Sequence, residues 1–253
     1  MPELIKSASD LSEQYKFFTF FKMALRYVFH QLLFAPFFPY AIHKIRKTGK
    51  DYSLDKLIDF TNAFFYGLIR PLQIRYELSE LLKIIDKNKP KYVLEIGTSY
   101  GGTLFLFTRV ASDNATIISI DLPGGRFGGG YSKARIPLYK GFALKDQKIH
   151  LIRKNSHKKE TLEEIKGILG DNKLDFLFID GDHTYEGIKR DFELYSSIVK
   201  KNGIIALHDI VKTDIKGCEV SRFWDEIKSK YENIEIAKDW KQNWAGIGVI
   251  TLK

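Results

Sequence analysis

From about residue 71 onward, the hydrophobic positions of the chain alternate between two periods. Short runs of β-branched and aromatic residues predict strands, and the stretches between them, with apolar positions three or four apart, predict amphipathic helices. The predicted strands are 92–96, 116–120, 149–153, 174–179, 203–207, 234–237 and 246–251. The predicted helices are 71–86, 101–111, 133–145, 160–169, 185–200 and 219–230. This alternation predicts an α/β fold with a mostly parallel sheet covered on both faces.

The last two predicted strands are joined by residues 238–245, a connection too short for a crossover helix. We therefore expect these two strands to pair antiparallel at the edge of the sheet.

The first 70 residues are rich in aromatic side chains. Asp10 and Glu13 form a candidate capping pair, after which polar residues recur three or four apart and apolar residues fill the remaining face. The polar stripe contains Lys16, Thr19, Lys22, Arg26 and His30. Pro36 and Pro39 end this predicted amphipathic helix, and two shorter helices follow, one before residue 50 and one from residue 53.

The apolar run over 28–42 has 15 residues, fewer than the roughly 20 that cross a bilayer. We therefore divide the chain into a helical, aromatic-rich extension, residues 1–70, and a ligand-binding domain, residues 71–253. Two roles for the extension stay open: a cap or dimer surface, or a membrane-surface helix with a basic stripe.

Cysteine content and charge narrow the cellular setting. Cys218 is the only cysteine and the first ten residues include acids, so we expect a cytoplasmic protein without disulfides or a secretory signal. The net charge of +9 is dispersed: residues 1–70 carry ten basic and six acidic side chains, and the rest carry 30 and 25. This dispersion argues against a nucleic-acid partner and leaves an anionic glycolipid or a membrane surface.

The segment VLEIGTSYGG, residues 93–102, places glycines at the end of the first strand of the sheet. Its spacing is not G-x-G-x-x-G, which makes a nicotinamide-dependent oxidoreductase a poor alternative. An acid with tight-turning backbone suits a cationic ligand that carries an amino acid. The candidate cofactor-binding residues in this segment are Glu95, Gly97, Thr98, Ser99 and Gly101.

Two further strand ends add candidate cofactor contacts. Asp121 follows Gly101 by 20 residues and is placed to accept hydrogen bonds from ribose hydroxyls. After it comes a glycine-rich loop, either a cover over the site with Arg126 and Phe127 as contacts or a plain surface loop. At the end of the third strand the choice is between an edge of an adenine pocket and a polar loop. The residues there are Asn155, Ser156 and His157.

The segments FLFIDGDHTYEG and GIIALHDI bring acids and histidines to the ends of two more strands. Asp180, Asp182 and His183 follow the first, and His208 and Asp209 end the second. We expect these groups to converge at the carboxyl edge of the sheet. Structural alternatives are a helix cap for Asp182 and a turn position for Asp209.

Residues 69–252 resemble the class I S-adenosylmethionine-dependent methyltransferases. VLEIGTSYGG matches their glycine motif and Asp121 their ribose acid, which implies a Rossmann-like, doubly wound, seven-stranded sheet with an antiparallel last strand. The segment IDGDHTYEGIKRDFELY, followed by GIIALHDI, is similar to the branch of macrocin-type sugar O-methyltransferases and cephalosporin-hydroxylase-like proteins.

The resemblance implies a magnesium-type site on Asp180, His208 and Asp209, and His183 as general base. Asp180 is also implied in catalysis and next to the cofactor. A carboxylate is common in the branch where this chain has His208, so weakened magnesium binding, manganese binding and no metal all stay open. Asp182 is a candidate to orient His183.

These expectations lead to an S-adenosylmethionine-dependent O-methyltransferase acting on a sugar, glycolipid or related hydroxylated small molecule, with Mg²⁺ or Mn²⁺ as candidate metals. The alternative is a non-catalytic binding protein that docks through its N-terminal helices. Trp240 and Trp244 are candidates to stack on a sugar ring, and edge-strand packing is the alternative for both. A homo-oligomer is compatible with either function.

Overall fold

The computed structural model describes residues 35–49, 51–124 and 130–253. The helix predicted from Asp10 onward, and the loop contacts predicted for Arg126 and Phe127, lie outside these residues. Within the described ranges, no helix combines the length and apolar character needed to cross a membrane.

A seven-stranded sheet forms the centre of the described chain, as the residue pattern predicted. The strands are β1 Tyr92–Ile96, β2 Thr116–Ile120, β3 Lys148–Ile152, β4 Leu174–Ile179, β5 Val199–His208, β6 Glu232–Ile236 and β7 Ile247–Thr251. Their order is β3-β2-β1-β4-β5-β7-β6. Strands β1 to β5 are parallel, and β7 lies antiparallel between β5 and β6. The predicted antiparallel pairing of the last two strands is confirmed, and the edge strand is β6.

Eight α-helices lie in the described ranges. They are α1 Phe38–Lys47, α2 Leu54–Ala63, α3 Arg75–Asn88, α4 Gly102–Val110, α5 Ile136–Lys140, α6 Lys159–Leu169, α7 Tyr185–Ser196 and α8 Val220–Ile227. Ser53 caps α2 by accepting a hydrogen bond from the backbone of Lys56. The helix predicted over 133–145 is shorter than expected: a 3₁₀ turn at Lys133–Arg135 leads into α5.

Period-two alternation along the strands sends side chains to two hydrophobic cores. In β4, Phe176 and Phe178 lie in the core beneath α1 to α5, and Leu177 and Ile179 lie in the core beneath α6, α7 and α8. Phe38 of α1 belongs to the first of these cores. The described part of the predicted extension therefore packs on the sheet domain through a shared core.

Buried Arg109 links α1 to that domain through hydrogen bonds. Its guanidinium donates to the backbone carbonyls of Ile45, Thr48 and Phe142 at 2.9, 2.7 and 2.7 Å. Two of these carbonyls belong to the C-terminal end of α1, where orphan acceptors and the helix dipole favour a cation.

Candidate active site

The candidate site lies at the carboxyl edge of the parallel strands, where the strand order reverses between β1 and β4. Ligands of open α/β sheets bind at this switch point. The ends of β1, β2, β4 and β5 all contribute residues to it.

The glycine loop between β1 and α4 requires its glycines. Gly97 has φ +99°, and a Cβ there would lie 1.9 Å from the carbonyl oxygen of Asp180. Gly101 has φ +80°, and its Cβ would lie 2.7 Å from the ring of Tyr139. Only glycine tolerates both the conformation and the close approach. The loop is therefore pressed against the end of β4.

Glu95 stabilises this loop through buried hydrogen bonds. It is fully buried, accepts a hydrogen bond from the hydroxyl of Thr103, and accepts a second from Ser119 at 2.7 Å. The Ser119 hydroxyl also lies 2.5 Å from that of Thr98 in the loop. Burial raises the pKa of Glu95 to about 8. Its direct contact with a cofactor stays a prediction, because both carboxyl oxygens have partners within the protein.

Asp121 joins the ends of β1 and β2. Its Oδ2 accepts hydrogen bonds from the backbone N–H groups of Thr98 at 3.0 Å and Ser99 at 2.7 Å. Its Oδ1 accepts from the backbone of Leu122 at 2.7 Å. Burial raises the pKa of this carboxyl, and the backbone donors oppose the shift. The predicted ribose acid thus also fixes the glycine loop in place.

The residues after β3 form a tight turn. The backbone of His157 donates to Asn155 Oδ1 at 2.8 Å, and Tyr195 donates its hydroxyl to the carbonyl of Ser156 at 2.7 Å. His157 Nε2 lies 3.5 Å from buried Asp191, which raises the pKa of His157 against the effect of burial. Contact of Asn155, Ser156 and His157 with adenine stays a prediction.

The structure brings together two carboxylates and two imidazoles from the ends of β4 and β5, here called the acid–histidine cluster: Asp180, His183, His208 and Asp209. His208 Nδ1 lies 3.1 Å from Asp180 Oδ1 and 3.3 Å from Asp209 Oδ1. His183 Nε2 lies 3.4 Å from Asp180, and its Nδ1 lies 3.3 Å from Asp209. Each imidazole therefore faces both carboxylates.

These contacts set the charges of the acid–histidine cluster. Burial disfavours charge on all four groups, but the opposite charges outweigh it. The pKa values of Asp180 and Asp209 lie below the usual aspartate range because of His208 and His183. The carboxylates raise the pKa of His183 to about 10 and that of His208 well above its usual value. All four shifts therefore favour the charged forms of these groups.

The two ring nitrogens of His183 face Asp180 and Asp209, whereas Asp182 bonds to Thr184. Its Oδ1 accepts hydrogen bonds from the backbone and hydroxyl of Thr184 at 3.0 and 2.8 Å. Thr184 in turn caps α7 by accepting from the backbone of Gly187. The cap of α7 is therefore Thr184 and not Asp182, and Asp182 holds that cap residue by accepting from its N–H and its hydroxyl.

The geometry admits a divalent cation. Asp180, His208 and Asp209 each offer one ligand atom, and these atoms lie within 4.8 Å of one another. Two oxygens and one imidazole nitrogen suit Mn²⁺ better than Mg²⁺, which prefers oxygen throughout. His183, Asp209 and Cys218 form a second such group. The residues fit a metal, and its presence stays a proposal.

Sequence reasoning missed Gln73 and Cys218. Gln73 Nε2 donates to Asp180 Oδ2 at 2.5 Å, and its Oε1 is buried with no hydrogen-bond partner among the described residues. Cys218 lies beside His183. Neither stands in a motif or a repeating pattern, so only the fold reveals these contacts.

Comparison with known proteins agrees with this geometry. Residues 94–210 match the family model described as a methyltransferase domain. An O-methyltransferase from Bacillus cereus in complex with S-adenosylhomocysteine has a similar fold, with a TM-score of 0.56 and 16% identity over 79% of this chain and 90% of that one. The O-methyltransferase TomG from Streptomyces achromogenes, which takes part in tomaymycin synthesis, gives 0.51 and 15% over 80% and 91%.

The matches to curated relatives cover only part of each protein. An uncharacterised protein of Sinorhizobium fredii is 27% identical over 150 residues, or 57% of this chain and 16% of that protein. The chain spans about a sixth of the length of the curated relatives it matches. Residues 94–210 are therefore similar to a methyltransferase domain, and the described chain shares the fold of these O-methyltransferase structures.

Proposed function

We propose that the chain transfers a methyl group from S-adenosylmethionine to a hydroxyl oxygen. The observation that carries the proposal is the position of two features at one edge of the sheet. The Asp121-fixed glycine loop offers a cofactor site, and the acid–histidine cluster lies directly beside it, since Gly97 contacts the backbone of Asp180. A methyl donor and an acid–base group are the two parts that O-methylation requires.

The residues divide the chemistry as follows. Asp121 and the glycine loop hold the cofactor, and His183 accepts the hydroxyl proton as the oxygen attacks the methyl carbon and the sulfonium leaves as a thioether. Asp180 and Asp209 orient the imidazole of His183. A divalent cation bound by Asp180, His208 and Asp209 would supply Lewis-acid activation of the same hydroxyl.

The raised pKa of His183 makes the proposed proton transfer depend on pH. Because that pKa is about 10, His183 holds a proton at neutral pH and must release it before it accepts another. In metal-free protein, methyl transfer should therefore rise as the pH rises toward about 10.

A sugar or glycolipid hydroxyl is the acceptor we favour. Trp244 and Trp240 are 44% and 54% exposed on the loop between β6 and β7. The next residue after Trp244, Ala245, donates its backbone N–H to Asp209 at 3.1 Å. Trp244 is thus next in sequence to a residue that contacts the cluster. Exposed indole rings on this loop support stacking on a sugar ring.

Cytoplasmic localisation, membrane-surface contact and self-association remain proposals. Exposed Phe37 and Tyr40 at the start of α1, with Lys44, Arg46 and Lys47 in its last turn, support contact of this region with an anionic surface.

The test is methyl transfer from isotope-labelled S-adenosylmethionine to pyranosides and glycolipids, followed by mass spectrometry. We expect an O-methyl product, and we expect His183→Asn to slow its formation about 100-fold while S-adenosylhomocysteine still binds. A chain that does not bind S-adenosylhomocysteine would favour a non-catalytic role instead.

A further inference from the structure

The start of α3 contacts the acid–histidine cluster directly. Gln73, two residues before the helix, donates from Nε2 to Asp180 Oδ2 at 2.5 Å. With Oδ2 held, Asp180 Oδ1 is left facing His208 Nδ1 at 3.1 Å and His183 Nε2 at 3.4 Å. The amide of Gln73 therefore selects the carboxylate orientation that the two imidazoles share.

One helical turn later, Glu77 contacts the loop between β6 and β7. Its carboxylate is fully buried and accepts from the backbone of Lys238 at 3.0 Å, the side chain of Gln242 at 2.7 Å and the backbone of Gly246 at 2.9 Å. These three donors supply the hydrogen bonds that a buried carboxylate needs in order to be stable. Glu77 thus fixes both ends of this loop.

The same loop holds the second carboxylate of the cluster. Ala245 donates its backbone N–H to Asp209 Oδ1 at 3.1 Å, and the next N–H, that of Gly246, goes to Glu77. Ala245 has φ +63°, a conformation that a non-glycine residue keeps only where its surroundings enforce it. Two consecutive amides held by two carboxylates provide that enforcement.

The segment before α3 is itself fixed against the cofactor motif. A Cβ on Gly102 would lie 2.3 Å from the backbone nitrogen of Pro71 and 2.6 Å from the carbonyl oxygen of Ile69. Contacts this close leave residues 69–71 little freedom to shift. Gln73 and Glu77 therefore project from a segment that is anchored at the start of α4.

We propose that Gln73 and Glu77 are positioning residues that together set the geometry of the Asp180–Asp209 carboxylate pair. Gln73 acts on Asp180 directly, and Glu77 acts on Asp209 through Ala245. The functional meaning of the cluster rests on the proposed function, but the first test below does not require methyl transfer.

The test uses proton NMR of the metal-free chain. The His208 ring N–H that faces Asp180 is buried, so we expect a slowly exchanging resonance downfield of the amide region, assigned by its loss in His208→Asn. Gln73→Leu removes the amide donor and should shift or abolish this resonance. Glu80→Gln, a change at a partly exposed position on the same helix, is the matched control and should leave it unchanged.

An unaltered resonance in Gln73→Leu, or its absence from the wild-type chain, would overturn the proposal. If Gln73→Leu does not fold, Gln73→Asn keeps the amide but shortens its reach by one methylene and should give the same change.

Kinetics separate positioning from general stability. Glu77→Gln and Gln73→Leu should each lower kcat for methyl transfer by about 10- to 100-fold with KM for S-adenosylmethionine unchanged, as for other residues that orient a reactive group. A fall in cofactor affinity and melting temperature without this split would show a structural role only. Failure of the wild-type chain to bind S-adenosylhomocysteine would refute the proposed function and leave the NMR result to be judged separately.

Discussion

Replacement of Asp121 by asparagine tests how the cofactor site is built. The carboxylate accepts four backbone hydrogen bonds: from Thr98 and Ser99 on Oδ2, from Leu122 on Oδ1, and a further one from Gly130. Asparagine has one carbonyl oxygen, so in either orientation its NH₂ group faces at least one N–H. That donor loses its acceptor, and the remaining bonds lose the contribution of the negative charge.

The cost of the replacement follows from these bonds. An orphaned buried donor costs about 1–3 kcal/mol, and a bond to a charged acceptor is worth about 1 kcal/mol more than a neutral one. The total is about 3 kcal/mol, which corresponds to roughly a 100-fold loss of affinity if the loop must hold its shape to bind the cofactor.

Calorimetric titration with S-adenosylhomocysteine measures this effect. Asp113→Asn is the matched control, because Asp113 is exposed and pairs with Lys145. We expect the control to bind like the wild-type chain. Equal affinities for Asp121→Asn and wild type would refute the reasoning, since they would mean that neither the carboxylate nor the loop shape contributes to binding.

Three further changes have defined outcomes. Gly97→Ala puts a Cβ 1.9 Å from the Asp180 carbonyl and should abolish S-adenosylhomocysteine binding in calorimetry; binding would mean the loop can move away. Because the pKa of Glu95 rises from 4.5 to about 8, the folded chain holds this proton more tightly than the unfolded chain does. The free energy of unfolding in urea should therefore fall as pH rises across that window, and Glu95→Gln should flatten the dependence. Arg109→Met removes the guanidinium donor from three buried carbonyls, of which that of Ile45 keeps the backbone N–H of Thr48. The change should cost about 3–5 kcal/mol in urea unfolding, whereas exposed Arg222→Met should cost little.

The sheet was largely predictable from the sequence, because period-two strands such as β4 show directly which side chains enter which core. The convergence of Asp180 with Asp209 was also predictable, since parallel strands end at the same edge of a sheet. The insertion of β7 between β5 and β6 was not predictable, because a short connection fixes antiparallel pairing but not which strand lies at the edge.

The contacts of Gln73 and Glu77 could not be predicted either, and the reason is different. Gln73 and Glu77 lie more than 100 residues from their partners, with which they share no motif. Asp182 shows the converse limit. It lies in the segment that resembles the family, and from that segment we predicted that Asp182 orients His183. Its hydrogen bonds to Thr184 decide its position instead. Competition for a side chain by nearby hydrogen-bond donors cannot be inferred from the sequence until the backbone conformation is known.

A crystal structure of the chain with S-adenosylhomocysteine and Mn²⁺ tests the central claim most directly. We expect the ribose hydroxyls at Asp121, the thioether sulfur beside the acid–histidine cluster, and Mn²⁺ between Asp180 and Asp209. A ligand bound away from the glycine loop, or a thioether that faces away from His183, would contradict it.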